Sequence, residues 1–230
     1  CPSVRAEYLS GNGVQEYENL GWFNGHEVHY TIPAGFKILA LKYRETGYDT
    51  EFTGTFTCDD EVLNRYHEKA LRTLYITMRD TYMDCPDRER AQWWGDLVNE
   101  MGEAFYALDP RSALLARKGI LELANWQRDD NSIFSPIPAG NWDRELPMQM
   151  LNSVGYYGFW TYFMYTGDLE TIRAVYPAVK RYLSVWKHDD DGLADVDQRP
   201  AADALRREQF RQRFGCRGVL QRLESQGHGP

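Results

Sequence analysis

The sequence predicts a mainly α protein, part of a toroid of helical hairpins preceded by the last strands of a β-sandwich. Two observations carry this expectation. The apolar pattern is alternating and rich in turns up to residue 57, then takes a period of about 3.6 from Asp59 onward. The helical stretches that follow are joined by short turns and one long loop, an arrangement that gathers the long connections on one face.

In residues 1–57, the run "EVHYTIPAGFKILALKYRETGYDTEFTGTFT" has β-branched and aromatic stretches broken by Pro33-Ala34-Gly35 and by Gly47, the pattern of antiparallel strands. A few strands alone have open edges and little core, so the domain is expected to begin before residue 1. Residues 58–197 form the helical part. Val62, Leu63, Tyr66, Ala70, Leu71, Leu74 and Met78 fall on one helical stripe, with Asp59 or Asp60 placed to cap its start. "QWWGDLVNEMGEAFYAL" and "RSALLARKGILELANWQ" read as a helical hairpin turning at Asp109-Pro110. The loop "RDDNSIFSPIPAGNWDRELP" is long enough to be a candidate wall for a site. Two further helices follow, "MQMLNSVGYYGFWTYFMYTG" and "LETIRAVYPAVKRYLSVWKH", and Pro177 predicts a kink or break in the second near Val175 and Tyr176. Tyr156, Tyr157, Phe159, Trp160, Tyr162, Phe163 and Tyr165 surround the first of these two helices, and most are expected in the core.

Residues 198–230 differ in kind. They hold seven Arg, no Lys and three acids, a net charge of +4, whereas residues 1–197 hold 19 bases and 31 acids, a net charge of −12. Two readings are open: an amphipathic terminal helix around "ADALRREQFRQRF", or a stretch that is not the natural continuation of the domain.

A formal charge of −8 argues against nucleic acid or an anionic membrane as partner, since both require a basic face. Cysteines at 1, 58, 85 and 216 have no CxxC spacing, and histidines at 26, 29, 67, 188 and 228 form no helical ligand pair, so neither a metal site nor a cofactor is expected. No apolar run of about 18 residues predicts a membrane span, and localisation is left open. Aromatic residues make up 14% of the chain, and flat rings beyond those needed for a core suit the apolar face of a sugar.

The stretch "TYMDCPDRERAQWWGD" concentrates the chemistry. Asp84, Asp87, Glu89 and Asp96 stand with Arg88, Arg90, Trp93 and Trp94 between two predicted helices, where Pro86 is expected to stop the first. A glycosidase requires a carboxylic acid for the leaving oxygen, a second carboxylate, charged groups for hydroxyls and a ring for the sugar face. The same residue types also suit a salt-bridged connector whose tryptophans fill the core, and composition alone leaves both readings open.

The order of residues in "DCPDRERAQWWGD" resembles the signature of the bacterial α-L-rhamnosidases of the six-hairpin glycosidase superfamily. The resemblance extends over roughly residues 5–195, through "FNGHEVHYTIPAGFKILALKYRETGYDTEFTGTFTCDDEVLNR" and "FSPIPAGNWDRELPMQMLNSVGYYGFW". It implies an (α/α)6 barrel, inverting hydrolysis of α-L-rhamnosides and Glu89 as general acid. It further implies that Asp84, Arg88 and Asp96 bind sugar hydroxyls and that Trp93, with Trp142, lines the pocket. The partner would be a rhamnose-containing glycoside or polysaccharide. The family's later glutamate, the general base, has no match in residues 198–230, so the chain alone is expected to be inactive. The reading from a different class is a non-catalytic carbohydrate-binding or helical interaction module. A six-hairpin enzyme for another sugar is a third.

Overall fold

The structure is a computed structural model and describes residues 5–138, 144–188 and 190–192. It is mainly helical. The elements are α1 (Glu61–Ile76), α2 (Trp94–Ala107), α3 (Ser112–Asn125), α4 (Pro147–Ser153), a π-helical turn (Tyr156–Trp160), α5 (Thr161–Thr166) and α6 (Leu169–Leu183).

The α2–α3 hairpin is the centre of the fold, and α6 packs on the other side of α3. Each helix buries the stripe its sequence period provides. On α2 this is Trp94, Leu97, Met101, Ala104 and Ala107; on α3, Leu115, Ala116, Gly119, Ile120 and Leu123; on α6, Thr171, Val175, Ala178 and Tyr182. Polar ties flank the α3–α6 seam: Arg117 Nε donates to Thr171 Oγ1 at 2.9 Å, and Gln127 Nε2 donates to the Ala178 carbonyl at 2.9 Å.

The α1 helix starts as expected: Asp60 Oδ1 accepts the Val62 and Leu63 N–H groups at 2.8 and 3.3 Å. Its stripe behaves differently. Leu74 is buried, but Val62, Leu63 and Tyr66 are exposed, because only the C-terminal part of α1 meets α2. The helix also stops earlier than Pro86, at Ile76, where the Thr77 N–H and hydroxyl turn back onto the carbonyls of Thr73 and Leu74. The chain then buries Met78, Tyr82 and Met83 on its way to the charged stretch.

Among the described residues of the first 57, no β-ladder forms. The segment is extended and largely exposed until residue 48, because no neighbouring strand offers the hydrogen bonds that strands need. Residues 48–54 are tied to the hairpin turn. The Tyr48 hydroxyl donates to the Arg111 carbonyl at 2.8 Å, Thr50 Oγ1 to Asp109 Oδ1 at 3.0 Å, and the Thr53 and Gly54 N–H groups share the Ala107 carbonyl. A Cβ at Gly54 would lie 2.0 Å from the Tyr106 carbonyl oxygen, so this approach requires glycine. Asp109, held to about 2 chiefly by its hydrogen bonds to Arg111 and despite desolvation, anchors the turn as a carboxylate.

Residues 148–167, expected as one helix, divide into α4, the π-helical turn and α5. The turn requires glycine at 158, where a Cβ would stand 1.6 Å from the Ser153 carbonyl oxygen. The break redistributes the aromatic residues. Phe159 and Tyr162 enter the core, while Tyr156, Tyr157, Trp160 and Tyr165 are exposed, so the expectation of a mostly buried set is corrected. α6 runs through Pro177 without a break, because Tyr176 and Pro177 face solvent and water can satisfy the carbonyl left without its N–H partner. The tail 198–230 lies outside the described residues.

Asp168 caps α6 and joins it to α5. Its carboxylate accepts the Thr171 hydroxyl at 2.5 Å, the Thr171 N–H at 3.0 Å and the Tyr162 hydroxyl at 2.7 Å, and these bonds, the first above all, hold it at about 2. Replacing Asp168 by Ala is expected to lower unfolding stability by about 1–2 kcal/mol, read from the urea midpoint. An unchanged midpoint would contradict the cap.

Candidate functional site: a carboxylate loop between two clefts

The charged stretch is a closed loop. The Asp84 N–H donates to the Ala91 carbonyl at 3.0 Å, and Asp84 Oδ1 accepts the Ala91 N–H at 3.0 Å. Residues 85–90 are thereby forced into a tight excursion. Arg90 takes the left-handed backbone (φ 52°) that turns the chain back, and its Nε donates to the Pro86 carbonyl at 3.1 Å. The Glu89 N–H donates to Cys85 Sγ at 3.3 Å, fixing the base of the Glu89 side chain.

Two residues beyond the loop, α2 begins, and the adjacent tryptophans separate in role. Trp94 is fully buried and meets Phe159 edge-on at 5.6 Å. Trp93 stays at the loop, where its Nε1 donates to Glu89 Oε2 at 2.6 Å. Arg88 pairs with Glu89 Oε1. The Glu89 side chain is 9% exposed, and desolvation pushes its carboxyl upward. The hydrogen bonds from Trp93 and Arg88, the Arg88 charge and a hydrogen bond with Asp84 together outweigh burial and hold it below its ordinary value.

Residues of this loop line two clefts. The first, of about 210 Å³, is lined by Asp84 from the loop, Asp96, Asn99, Glu100 and Glu103 from α2, and Thr73, Leu74 and Thr77 from the end of α1. It holds four carboxyl groups and no basic side chain. The second, of about 470 Å³, carries Glu89 with Arg88, Arg90 and Gln92, faced by Pro136, Ile137 and Pro138 and by Trp22 and Asp80. The long loop after α3 is therefore a wall of the site. It is pinned there by Gln92, 2% exposed, whose Nε2 donates to the Ile137 carbonyl at 3.2 Å and to Glu122 Oε2 at 2.9 Å.

Of the residues read from sequence, Asp84 and Asp96 share the first cleft, Arg88 and Glu89 the second, and Trp93 bridges to Glu89. Trp142 lies outside the described residues. His67 meets the Phe56 ring at a tilt, with ring centroids 5.2 Å apart. Three contributors were not read from sequence: Glu100, Gln92 and Trp22. Glu100 had a usable signal, since Asp96, Glu100 and Glu103 recur at helical spacing on one face of α2. Gln92 and Trp22 had none, because their roles arise from contacts across 45 and 68 residues.

Packing acids without a cation shifts their protonation. Glu100 is pushed up to about 9, first by burial and then by the charges of Asp96, Glu103 and Asp84, against a lowering hydrogen bond from Thr77. Asp96 is also raised, by desolvation first and then by Asp84 and Glu89. At neutral pH Glu100 is a neutral acid beside carboxylates. Among the described residues no three His, Cys, Asp or Glu side chains are grouped to hold a metal ion, and no helix is long and apolar enough to cross a membrane.

The candidate site is thus a set of carboxylates on a connector between packed helices. The profile of the bacterial α-L-rhamnosidase six-hairpin glycosidase domain matches residues 51–213, and the chain belongs to that family. The structure is similar to the crystal structure of a family GH78 rhamnosidase of Bacillus sp. GL1, with a TM-score of 0.55 and 24% identity over 65% of this chain. The chain spans 15% of the length of that one. No curated protein matches the sequence.

The raised Glu100 gives a pH test. Folded Glu100 binds its proton up to about 9, against an ordinary value of 4.5, so its contribution to stability is complete below about 4.5 and is lost as pH rises toward 9. Glu100→Gln is expected to flatten that decline when urea midpoints are compared across this range. Parallel pH profiles for the two proteins would show that Glu100 is ionised throughout.

Proposed function

We propose that this chain carries the acid half of an inverting α-L-rhamnosidase site. Glu89 is the general acid, Asp84, Arg88 and Asp96 bind the sugar hydroxyls, and Trp93 with Trp142 lines the pocket. The observation that carries the reading is the joint placement of Glu89 and its neighbours. Glu89 lines the roomier cleft, suited to a leaving group, and Asp84 of the same loop lines the acid-rich cleft, suited to hydroxyl donors.

Glu89 must hold a proton to act as an acid, and in the free protein Trp93 and Arg88 favour its carboxylate. Substrate hydroxyls that draw Arg88 away remove a partner of the Glu89 carboxylate, and burial then raises the acid toward its working state. Inversion also needs a second carboxylate to activate water, and in our reading this chain lacks that base and does not turn over alone. A second reading, a carbohydrate-binding module without catalysis, is favoured by the ionised state of Glu89 in the free protein.

Tryptophan fluorescence with L-rhamnose tests the shared part of both readings. Saturable quenching with a Kd on the order of 1 mM is expected, weakened about tenfold by Asp96→Asn. No response to L-rhamnose would remove the sugar site. Hydrolysis of an aryl α-L-rhamnoside by the purified chain, lost on Glu89→Gln, would contradict the inactivity of the chain alone.

A further inference from the structure

Residues 5–47 are exposed throughout, except for Asn19 and Trp22, which are covered in part. Leu9, Val14, Leu20 and Phe23 keep their apolar surface in solvent, so the cover over Trp22 is particular to that side chain. It comes from two arginines, one before the charged loop and one within it. The Arg79 and Arg90 guanidinium groups lie 4.0 and 3.8 Å from the Trp22 ring centroid. Arg90 Nη1 also donates to the Trp22 carbonyl at 3.2 Å, and Arg79 Nη1 donates to Thr46 Oγ1 at 2.6 Å, a second tie to the same segment.

Arg90 is the residue at which the loop turns back. A left-handed backbone on a residue with a Cβ is strained, and contacts of its side chain must offset that cost. Within the loop the Arg90 side chain has a hydrogen bond from Nε to the Pro86 carbonyl at 3.1 Å. The ring and carbonyl of Trp22 add theirs from 68 residues away. Glu89 directly precedes Arg90. Its N–H donates to Cys85 Sγ, and its Oε2 accepts from Trp93 Nε1 at 2.6 Å. Trp93 itself is held by α2, where its carbonyl accepts the Leu97 N–H at 2.9 Å. A relaxed Arg90 backbone would therefore move Glu89 relative to a partner that stays in place.

We propose that Trp22 is a positioning residue for the Glu89 loop. By stacking on Arg90 and accepting its hydrogen bond, it holds the left-handed turn that sets the Glu89 carboxylate against Trp93. The segment before the helices thereby completes the site. The functional meaning rests on the reading of Glu89 as the general acid, since a proton donor must keep its place relative to the bond it cleaves. Arginine suits this joint better than lysine, because its planar group stacks on the ring while Nε and Nη1 reach two different carbonyls.

Indole ¹⁵N–¹H spectra of the intact chain test this without any sugar. The Trp93 indole N–H reports its bond to Glu89, and that of Trp94, buried in the core, reports the fold. Trp22→Leu is expected to move the Trp93 resonance toward that of an unbonded indole and to leave the Trp94 resonance in place. Arg90→Lys is expected to do the same, whereas Trp22→Phe, which keeps a ring for stacking, retains the wild-type position of the Trp93 resonance. Titrating the same samples with L-rhamnose is expected to show binding about tenfold weaker for Trp22→Leu and Arg90→Lys, and close to wild type for Trp22→Phe. A Trp93 resonance unmoved by Trp22→Leu and Arg90→Lys overturns the positioning role; weaker sugar binding in that case makes Trp22 a direct sugar contact instead. Loss of the Trp94 resonance in Trp22→Leu assigns the residue to the fold as a whole and likewise overturns the role. Failure of the wild-type chain to bind L-rhamnose overturns the sugar reading alone, because the Trp93 resonance still decides the positioning.

Discussion

The pair of hydrogen bonds between Asp84 and Ala91 is the constraint on which the site depends. Each bond contributes only about 1 kcal/mol net, yet together they close the loop and bring its two ends side by side. Asp84 uses its backbone N–H and one carboxylate oxygen in the clasp, and its side chain still borders the acid-lined cleft. The clasp also explains the unusual backbone of Arg90, since a chain that must return to its starting point within so few residues needs a left-handed turn. The loop itself is anchored by α2, whose first residue, Trp94, is buried against Phe159. Packing energy in the helical core thus holds charged groups at a surface cleft.

The second organising feature is the separation of charge across Glu89. A chain with a surplus of acids places four of them in one small cleft and sets arginines across the loop from it. The acid side tolerates this by keeping Glu100 protonated, which removes one negative charge from beside Asp84 and Asp96. Glu89 lies between opposing influences, with burial raising its proton affinity and Trp93 and Arg88 lowering it. A group balanced in this way changes protonation when a ligand displaces one neighbour, which is the behaviour general acid catalysis requires.

Much of the fold was legible because the central helices carry strong periodic patterns. The α2–α3 hairpin, its Asp109-Pro110 turn, the Asp60 cap and the α6 stripe all follow from residue spacing. What was not legible depended on contacts distant in sequence. The division of residues 148–167 brings the Ser153 carbonyl against Gly158, and the continuity of α6 follows from the solvent exposure of Pro177. Alternation in residues 5–57 indicated strands, but a ladder requires a partner that sequence pattern does not supply. At the candidate site, one short motif carries Asp84, Arg88, Glu89, Trp93 and Asp96, and their roles remain proposals. Gln92 and Trp22 were not legible, since each acts on a segment far along the chain.

The central claim is that the loop closed by Asp84 and Ala91 is a rhamnose-recognition site. Backbone ¹⁵N NMR of the chain during titration with L-rhamnose tests it most directly. The account predicts that the amides shifted by the sugar cluster at residues 84–100 and at Thr73 and Thr77, with the Ala91 amide among them. Shifts that fall elsewhere on the molecule, or a spectrum unchanged at saturating sugar, would contradict it.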